Sequence, residues 1–230
     1  MAKLYCKILL ELVLCNLSVS CFAQYYSDKS KVLVGDYVYE DGSFSHSRLS
    51  SKKCLGVIIS KNVDKNDKAH GWKYGVVMSL HDCGDGDLYA WGPTNSKIYN
   101  DTIEYRYEIC DTLGEQYQAF HAVKNIPRPN FPNSGWQVPS PSHWESLVKN
   151  VGIDNMEKKL NFQRDNLWLS NGYWLCKSSS GSTAFLGIET NANNGMFWGN
   201  SGNNRNNFSG IRGFMGDKQK KKKVRAVFVF

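Results

Sequence analysis

Three short, nearly continuous apolar runs constrain the fold of this 230-residue chain more than any other feature. They are Cys54-Leu55-Gly56-Val57-Ile58-Ile59, Tyr74-Gly75-Val76-Val77-Met78-Ser79-Leu80 and Val224-Arg225-Ala226-Val227-Phe228-Val229-Phe230. Each has the length of a strand; the first two read as buried strands, and the third as the final strand of the chain. Val32 to Phe44 alternates weakly and turns at Glu40-Asp41-Gly42-Ser43, where Asp-Gly signals a tight hairpin. Ser140-Pro141 opens a helix, with Ser140 as N-cap and Pro141 at the first position. Trp144, Leu147, Val148 and Val151 form its apolar stripe, and Gly152 stops it. A second helical pattern runs from Asp101 to Lys124 through Leu113, Tyr117 and Phe120, ended by Pro127 and Pro129. Lys61 to Lys68 reads as a solvated loop, and residues 153–172 as a polar segment anchored by Phe162, Leu167 and Trp168. With no composition break from Val32 to Phe230, the expectation is one α+β domain, residues 32–230.

The first 23 residues have the pattern of an export signal. Lys3 and Lys7 precede an apolar segment too short and interrupted to span a bilayer, and a cut after Ala23 fits the small residues around it. The alternative is lipid attachment at Cys21, because Leu17-Ser18-Val19-Ser20-Cys21 loosely resembles a lipobox. No later segment reads as a membrane span. Residues 24–31 read as a short mobile leader. Removing Lys3, Lys7 and Glu11 from 28 basic and 21 acidic residues leaves 26 and 20, so the exported chain is still basic. That surplus favours anionic partners. Export and the lack of any nucleic-acid motif turn the expectation away from nucleic acid and toward glycans. Four cysteines follow the signal, Cys54, Cys83, Cys110 and Cys176, and in an oxidising compartment they allow three pairings.

Eight of the seventeen residues from Asn191 to Asn207 are asparagine, which core packing does not select. The stretch is studded with aromatics and flanked by Ala184-Phe185-Leu186-Gly187-Ile188 and the final apolar run. The candidate ligand-binding residues are Asn193, Asn194, Phe197, Trp198, Asn200, Asn203, Asn204, Arg205, Asn206, Asn207 and Phe208. Aromatic rings offer stacking faces to a sugar or a partner side chain, and Asn amides both donate and accept. Two plainer readings stand beside this: Trp198 and Phe208 as core plugs, and some asparagines as loop formers that tolerate positive φ. Lys218, Lys220, Lys221, Lys222 and Lys223 form a charge block before the last strand, either a solvated hairpin tip or an auxiliary contact for anionic glycans.

The sequence offers little for catalysis. His46, His70, His81, His121 and His143 are scattered, with no H-E-x-x-H and no G-x-S-x-G elbow. His143 reads as a helix-surface residue, and Glu145 as its solvated neighbour. Asp82-Cys83-Gly84-Asp85-Gly86-Asp87 suggests calcium, but an EF-hand frame from Asp82 puts Asp87 at the sixth position and Pro93 at the twelfth. No metal, cofactor or catalytic residue is expected.

Several motifs resemble one protein group. Gly135-Trp136-Gln137-Val138-Pro139-Ser140 followed by Trp144-Glu145-Ser146-Leu147 resembles a signature shared by C-type-lectin-like domains of bacterial surface proteins and formylglycine-generating enzymes. Tyr173-Trp174 before a serine cluster, and Lys223-Val224-Arg225-Ala226-Val227, resemble motifs of the DUF1566 and Fibrobacter major-paralogue group. Val34-Gly35-Asp36-Tyr37 with Gly56-Val57-Ile58-Ile59, and Ala90-Trp91-Gly92-Pro93, resemble motifs of Bacteroidetes members. The resemblance implies a C-type-lectin-like fold: two helices, a small mixed or antiparallel sheet joining the chain ends, and a loop-rich excursion presenting a binding face. The asparagine density also resembles the variable region of diversity-generating-retroelement proteins. Departures are clear. Cys176 stands alone where the formylglycine-generating enzymes bind copper through a cysteine pair. Glu189-Thr190-Asn191 and Trp198-Gly199-Asn200 lack the proline and the acid of calcium-dependent lectins. The expected function is therefore an exported protein, extracellular or at the outer cell surface of a Gram-negative-type bacterium, binding a glycan or surface protein through its C-terminal Asn/aromatic-rich loop face. The alternative is a structural or assembly subunit of a surface appendage, with a metal-dependent enzyme a distant third.

Overall fold

The structure, a computed structural model, describes residues 25–94, 113–162, 172–178, 183–187 and 213–230. The export signal with Cys21, Cys110, residues 101–112 of the second helical pattern, Leu167, Trp168 and the Asn191–Phe208 candidates lie outside the described residues.

All three apolar runs form strands of one antiparallel sheet. In chain order its members are β1 (Tyr25–Tyr26), β2 (Tyr37–Tyr39), β3 (Phe44–Ser45), β4 (Cys54–Ser60) and β5 (Val76–Asp82), with β11 (Arg225–Val229) last. They lie side by side as β1-β3-β2-β4-β5-β11. The β2–β3 hairpin turns at Gly42, whose φ of 81° needs no Cβ to avoid, and the Asp41 carboxylate accepts from Ser43 N. The alternation along each strand explains the continuous runs. Ile58, Val77, Ala226 and Phe228 enter one core cluster, while Val57, Ile59, Val76, Met78, Val227 and Val229 enter another. Both faces are covered, so both sets of alternate positions are largely apolar, with Ser60, Ser79 and Arg225 as buried polar exceptions. Gly56 is fixed by close approach: a Cβ there would lie 2.1 Å from the Met78 carbonyl oxygen across the β4–β5 ladder.

Helices supply the covers. Among the described residues they are α1 (Lys65–Ala69), α2 (Gln118–Lys124), α3 (Pro141–Asn150) and α4 (Ile153–Leu160). Ala119, Phe120, Ala122 and Val123 of α2 pack with Trp91, Trp136 and Trp174 on one face. Trp144 and Leu147 of α3, Val151 at its C-cap, and Met156 and Leu160 of α4 pack on the other. Helix α3 starts as its sequence requires: Ser140 Oγ accepts from His143 N, and Pro141 occupies the first turn.

Several expectations need correction. Residues 25–31 hold β1 and a 3₁₀ turn at Lys29–Lys31 rather than a loose leader, because Tyr26 packs on Phe44 and donates its hydroxyl to buried Asp36. The loop expected at Lys61–Lys68 contains α1, capped by Asp64, whose carboxylate accepts from Asp67 N at 2.8 Å. The polar segment after Gly152 begins with α4; Gly152 takes φ 82°, so no capping side chain announces the helix. His143 is buried rather than on the helix surface: its Nδ1 accepts from Ser140 N at 3.1 Å, which closes a capping box. The sheet that holds both the first and the last strand has six strands rather than being small, and those two lie at its opposite edges. Among the described residues Cys54 and Cys83 are free thiols. Cys83 and Cys176 pack as small apolar side chains in one cluster, while Cys54 contacts the other, and burial pushes the Cys83 thiol up to about 12. No helix among the described residues is long and apolar enough to cross a membrane.

Candidate functional site

A second sheet frames the asparagine-rich segment. Strands β7 (Tyr173–Ser178), β8 (Thr183–Gly187) and β9 (Gly213–Asp217) are antiparallel, with β8 and β9 in register from Thr183↔Asp217 to Gly187↔Gly213. The segment 188–212, which carries every Asn and aromatic candidate, therefore leaves and returns at one paired position. Those candidates themselves lie outside the described residues.

The lysine run does not act as one block. Lys218 is buried, with its Nζ 4.5 Å from the centre of the Trp91 ring, and burial pulls its ammonium down to about 8. Lys220 and Lys221 are exposed, and Lys221–Lys222 form β10, paired with β6 (Tyr89–Ala90). Burial and the neighbouring Lys220 lower Lys222. Lys223 lies 3.4 Å from Asp82 Oδ2. Only part of the run can meet an anion in solvent.

Lys223 belongs to a charged knot that sequence reading did not anticipate. Arg225, 2% exposed, places Nε 2.7 Å and Nη2 2.6 Å from Asp82 Oδ1. Its Nη1 donates to the Leu160 carbonyl at 2.6 Å, and the guanidinium stacks 3.8 Å above the Phe162 ring centre. The Tyr173 hydroxyl donates to both Asp82 oxygens, at 3.0 and 3.1 Å, and burial raises its pKa. Strands β5, β7 and β11 and the end of α4 are tied together at this one carboxylate. The only hint in the sequence was a charged residue inside an apolar run, Arg225.

The motifs that carried the family resemblance turn out to be scaffold. Trp91 is fully buried, donates its indole N–H to the Leu175 carbonyl at 2.8 Å, and meets Phe120 edge-on. Gly92 must be glycine, since a Cβ would sit 2.5 Å from the Tyr117 ring. Gln137 bridges to Val227, with Trp136 and Val138 in the core beside it, and Trp174 donates to the Tyr89 carbonyl. Among the described residues no group of three or more His, Cys, Asp or Glu side chains could hold a metal ion.

An open cleft of about 990 Å³ lies between α2, the ends of β4 and β5, and the Cys83–Gly86 turn. Leu55, Ile126 and Trp136 contribute apolar surface to its lining, and Asp85, Asp87, Leu88 and Glu115 also line it. The turn is tight: Gly84, Asp85 and Gly86 take successive φ values of 58°, 53° and 99°.

No protein-family model matches the sequence, and no curated protein sequence matches it. Among solved structures, similarity is found to a fimbrial protein from Bacteroides ovatus ATCC 8483, with a TM-score of 0.54 and 15% sequence identity. The superposition covers 86% of this chain and 49% of that one, so this chain spans about half the length of the fimbrial protein. What these comparisons establish is a fold, an α+β arrangement of helices and antiparallel sheets shared with a bacterial fimbrial protein.

Proposed function

We propose that this chain is an exported, non-catalytic subunit of a cell-surface assembly of the fimbrial kind. The observation that carries the reading is the fold similarity to a fimbrial protein over most of the chain. It fits an N-terminal export pattern, a sequence without catalytic motifs, and family-like motifs that serve packing. The test is to express a tagged full-length chain in a Bacteroidetes host, shear the cells, and run the released material on native gels with immunogold microscopy. Tagged protein in high-mass surface structures is the expected result. Tagged protein found only as a free monomer inside the envelope would remove the reading.

A second reading is recognition of a glycan or surface protein through residues 193–208. The β8–β9 register favours it, because pinning both ends of a long polar segment at Gly187↔Gly213 is how a hairpin displays a binding surface. The measurement is a glycan and protein array, comparing the exported chain with a variant whose residues 191–208 are replaced by Gly/Ser of equal length. A binder lost in the variant supports recognition; arrays with no loop-dependent binder count against it.

A further inference from the structure

The cleft between α2 and the Cys83–Gly86 turn has the wrong surface for an isolated subunit of this chain. Leu88 on its lining is 41% exposed, one of three large apolar side chains so exposed among the described residues. Behind it, Leu55, Ile126 and Trp136 present apolar surface. The charge on the lining is also inverted relative to the molecule. The chain as a whole carries 28 basic and 21 acidic residues, yet Asp85, Asp87 and Glu115 stand exposed here with no cation paired to any of them among the described residues. Lys53, also on the lining, is held by Glu40 at 3.0 Å, and Lys221 supplies one further ammonium. His81, His121, Cys54, Cys83 and Tyr89 are the other titratable groups on the lining beside Asp82, which Arg225 and Lys223 already engage.

Apolar lining together with exposed carboxylates that no described cation pairs suits a partner that brings aliphatic surface and ammonium groups together. Lysine does both, since its stem packs on apolar surface while its head seeks a carboxylate. We propose that this cleft docks a lysine-bearing surface of a second copy of this chain. The inference rests on the assembly reading above and adds to it a specific contact. Lysines beside the cleft, such as Lys221 on its lining, give a reciprocal two-fold contact, whereas donor lysines on another face of the chain give a contact that repeats into a ring or filament.

The test is sedimentation velocity on the exported chain, up to about 100 μM, a range that detects the weak contact expected of a single subunit interface. Runs at about 50 mM and 500 mM NaCl bracket strong and weak screening. Wild-type protein should form concentration-dependent oligomers at low salt that dissociate at high salt. Asp85→Asn/Asp87→Asn/Glu115→Gln should raise the dissociation constant by about tenfold, as loss of three exposed charge pairs implies. Leu88→Ser should weaken association while leaving its salt dependence unchanged. All four side chains are exposed, and an unchanged melting temperature confirms that each variant is folded. A wild-type chain that stays monomeric throughout, or a triple variant that associates as tightly as wild type, overturns the proposal. So does an amino-sugar oligosaccharide that binds the monomer and is lost in the triple variant, since the cleft is then a glycan site. If the triple variant still enters surface structures in cells, the assembly reading stands without this contact. If wild type self-associates through the cleft yet never reaches such structures, the contact stands and the assembly reading falls.

Discussion

Removing the Asp82 carboxylate tests the charged knot that joins the two sheets. In the native protein Arg225 is 2% exposed, and both Nε and Nη2 rest on Asp82 Oδ1. Its other hydrogen-bond partners among the described residues are backbone carbonyls of Ser79, Leu80 and Leu160, which supply no counter-charge. Asp82→Ala therefore leaves a buried guanidinium without its anion and a Tyr173 hydroxyl without its acceptor. Breaking a buried pair in this way costs about 3–5 kcal/mol, a large share of the roughly 5–15 kcal/mol that holds a typical domain. Arg225→Met costs less, about 2 kcal/mol, because Asp82 retains Lys223 and Tyr173 while the thioether packs on Phe162. The double variant removes both charges, so its loss should fall short of the summed singles by about 2 kcal/mol. Urea unfolding followed by tryptophan fluorescence reads all three variants, since the chain has seven tryptophans. An Asp82→Ala cost under about 1 kcal/mol, or strictly additive singles, would refute the reasoning.

Two buried groups set opposing pH dependences. Burial and neighbouring Asp64 raise Asp67 from 3.8 to about 7, so the folded state holds its proton longer than the unfolded chain, and stability falls as pH rises from about 4 to 7. Burial lowers His143 from 6.5 to about 4, so the unfolded chain binds the extra proton, and stability falls as pH drops from 6.5 to 4. The shifts correspond to about 4 and about 3 kcal/mol and nearly cancel, so the wild-type profile between pH 4 and 7 should be flat. Denaturant titrations across that range should show stability rising with pH in Asp67→Asn and falling with pH in His143→Gln; parallel profiles for the three proteins would disprove the assignment. Gly56→Ala should cost at least about 3 kcal/mol, because its Cβ meets the Met78 carbonyl at 2.1 Å, and a melting temperature within a few degrees of wild type would contradict the packing. For the lysine run, Lys220→Gln/Lys221→Gln should remove any heparin retention that the run supplies below about 0.5 M salt, whereas Lys218→Gln should alter thermal stability instead. Equal heparin retention by the double variant and wild type would rule out the exposed lysines as an anion site.

Much of the scaffold was legible because its signals are local. A strand covered on both faces must be apolar at successive positions, so β4, β5 and β11 can be read directly. Ser140-Pro141 and Asp41-Gly42 set a helix start and a turn through bonds to residues two or three positions away. Helices α1 and α4 were missed because their signals are weak. One is five residues long, and the other follows a glycine that offers no cap. Met156 and Leu160, four apart and both buried, were the available clue.

The candidate site divides along the same line. Composition alone singles out the asparagine segment, and it also places five lysines within six residues at 218–223. Which of those lysines meets solvent is a tertiary matter: Lys218 is covered by Trp91, far back in the chain, and Lys223 by Asp82. Four cysteines look like bridge partners by count, but Cys54 and Cys83 enter different core clusters, which strand alternation across the sheet sets. The acidic cleft likewise draws its lining from β4, β5, α2 and the Cys83–Gly86 turn, segments separated by tens of residues. By itself the sequence determined that the three apolar runs are strands, where one helix begins, and that the composition of residues 191–207 is unlike that of a core. Tertiary structure decided the strand order, the burial of His143 and Lys218, and the Arg225–Asp82 knot, because each depends on which distant segment packs across the sheet.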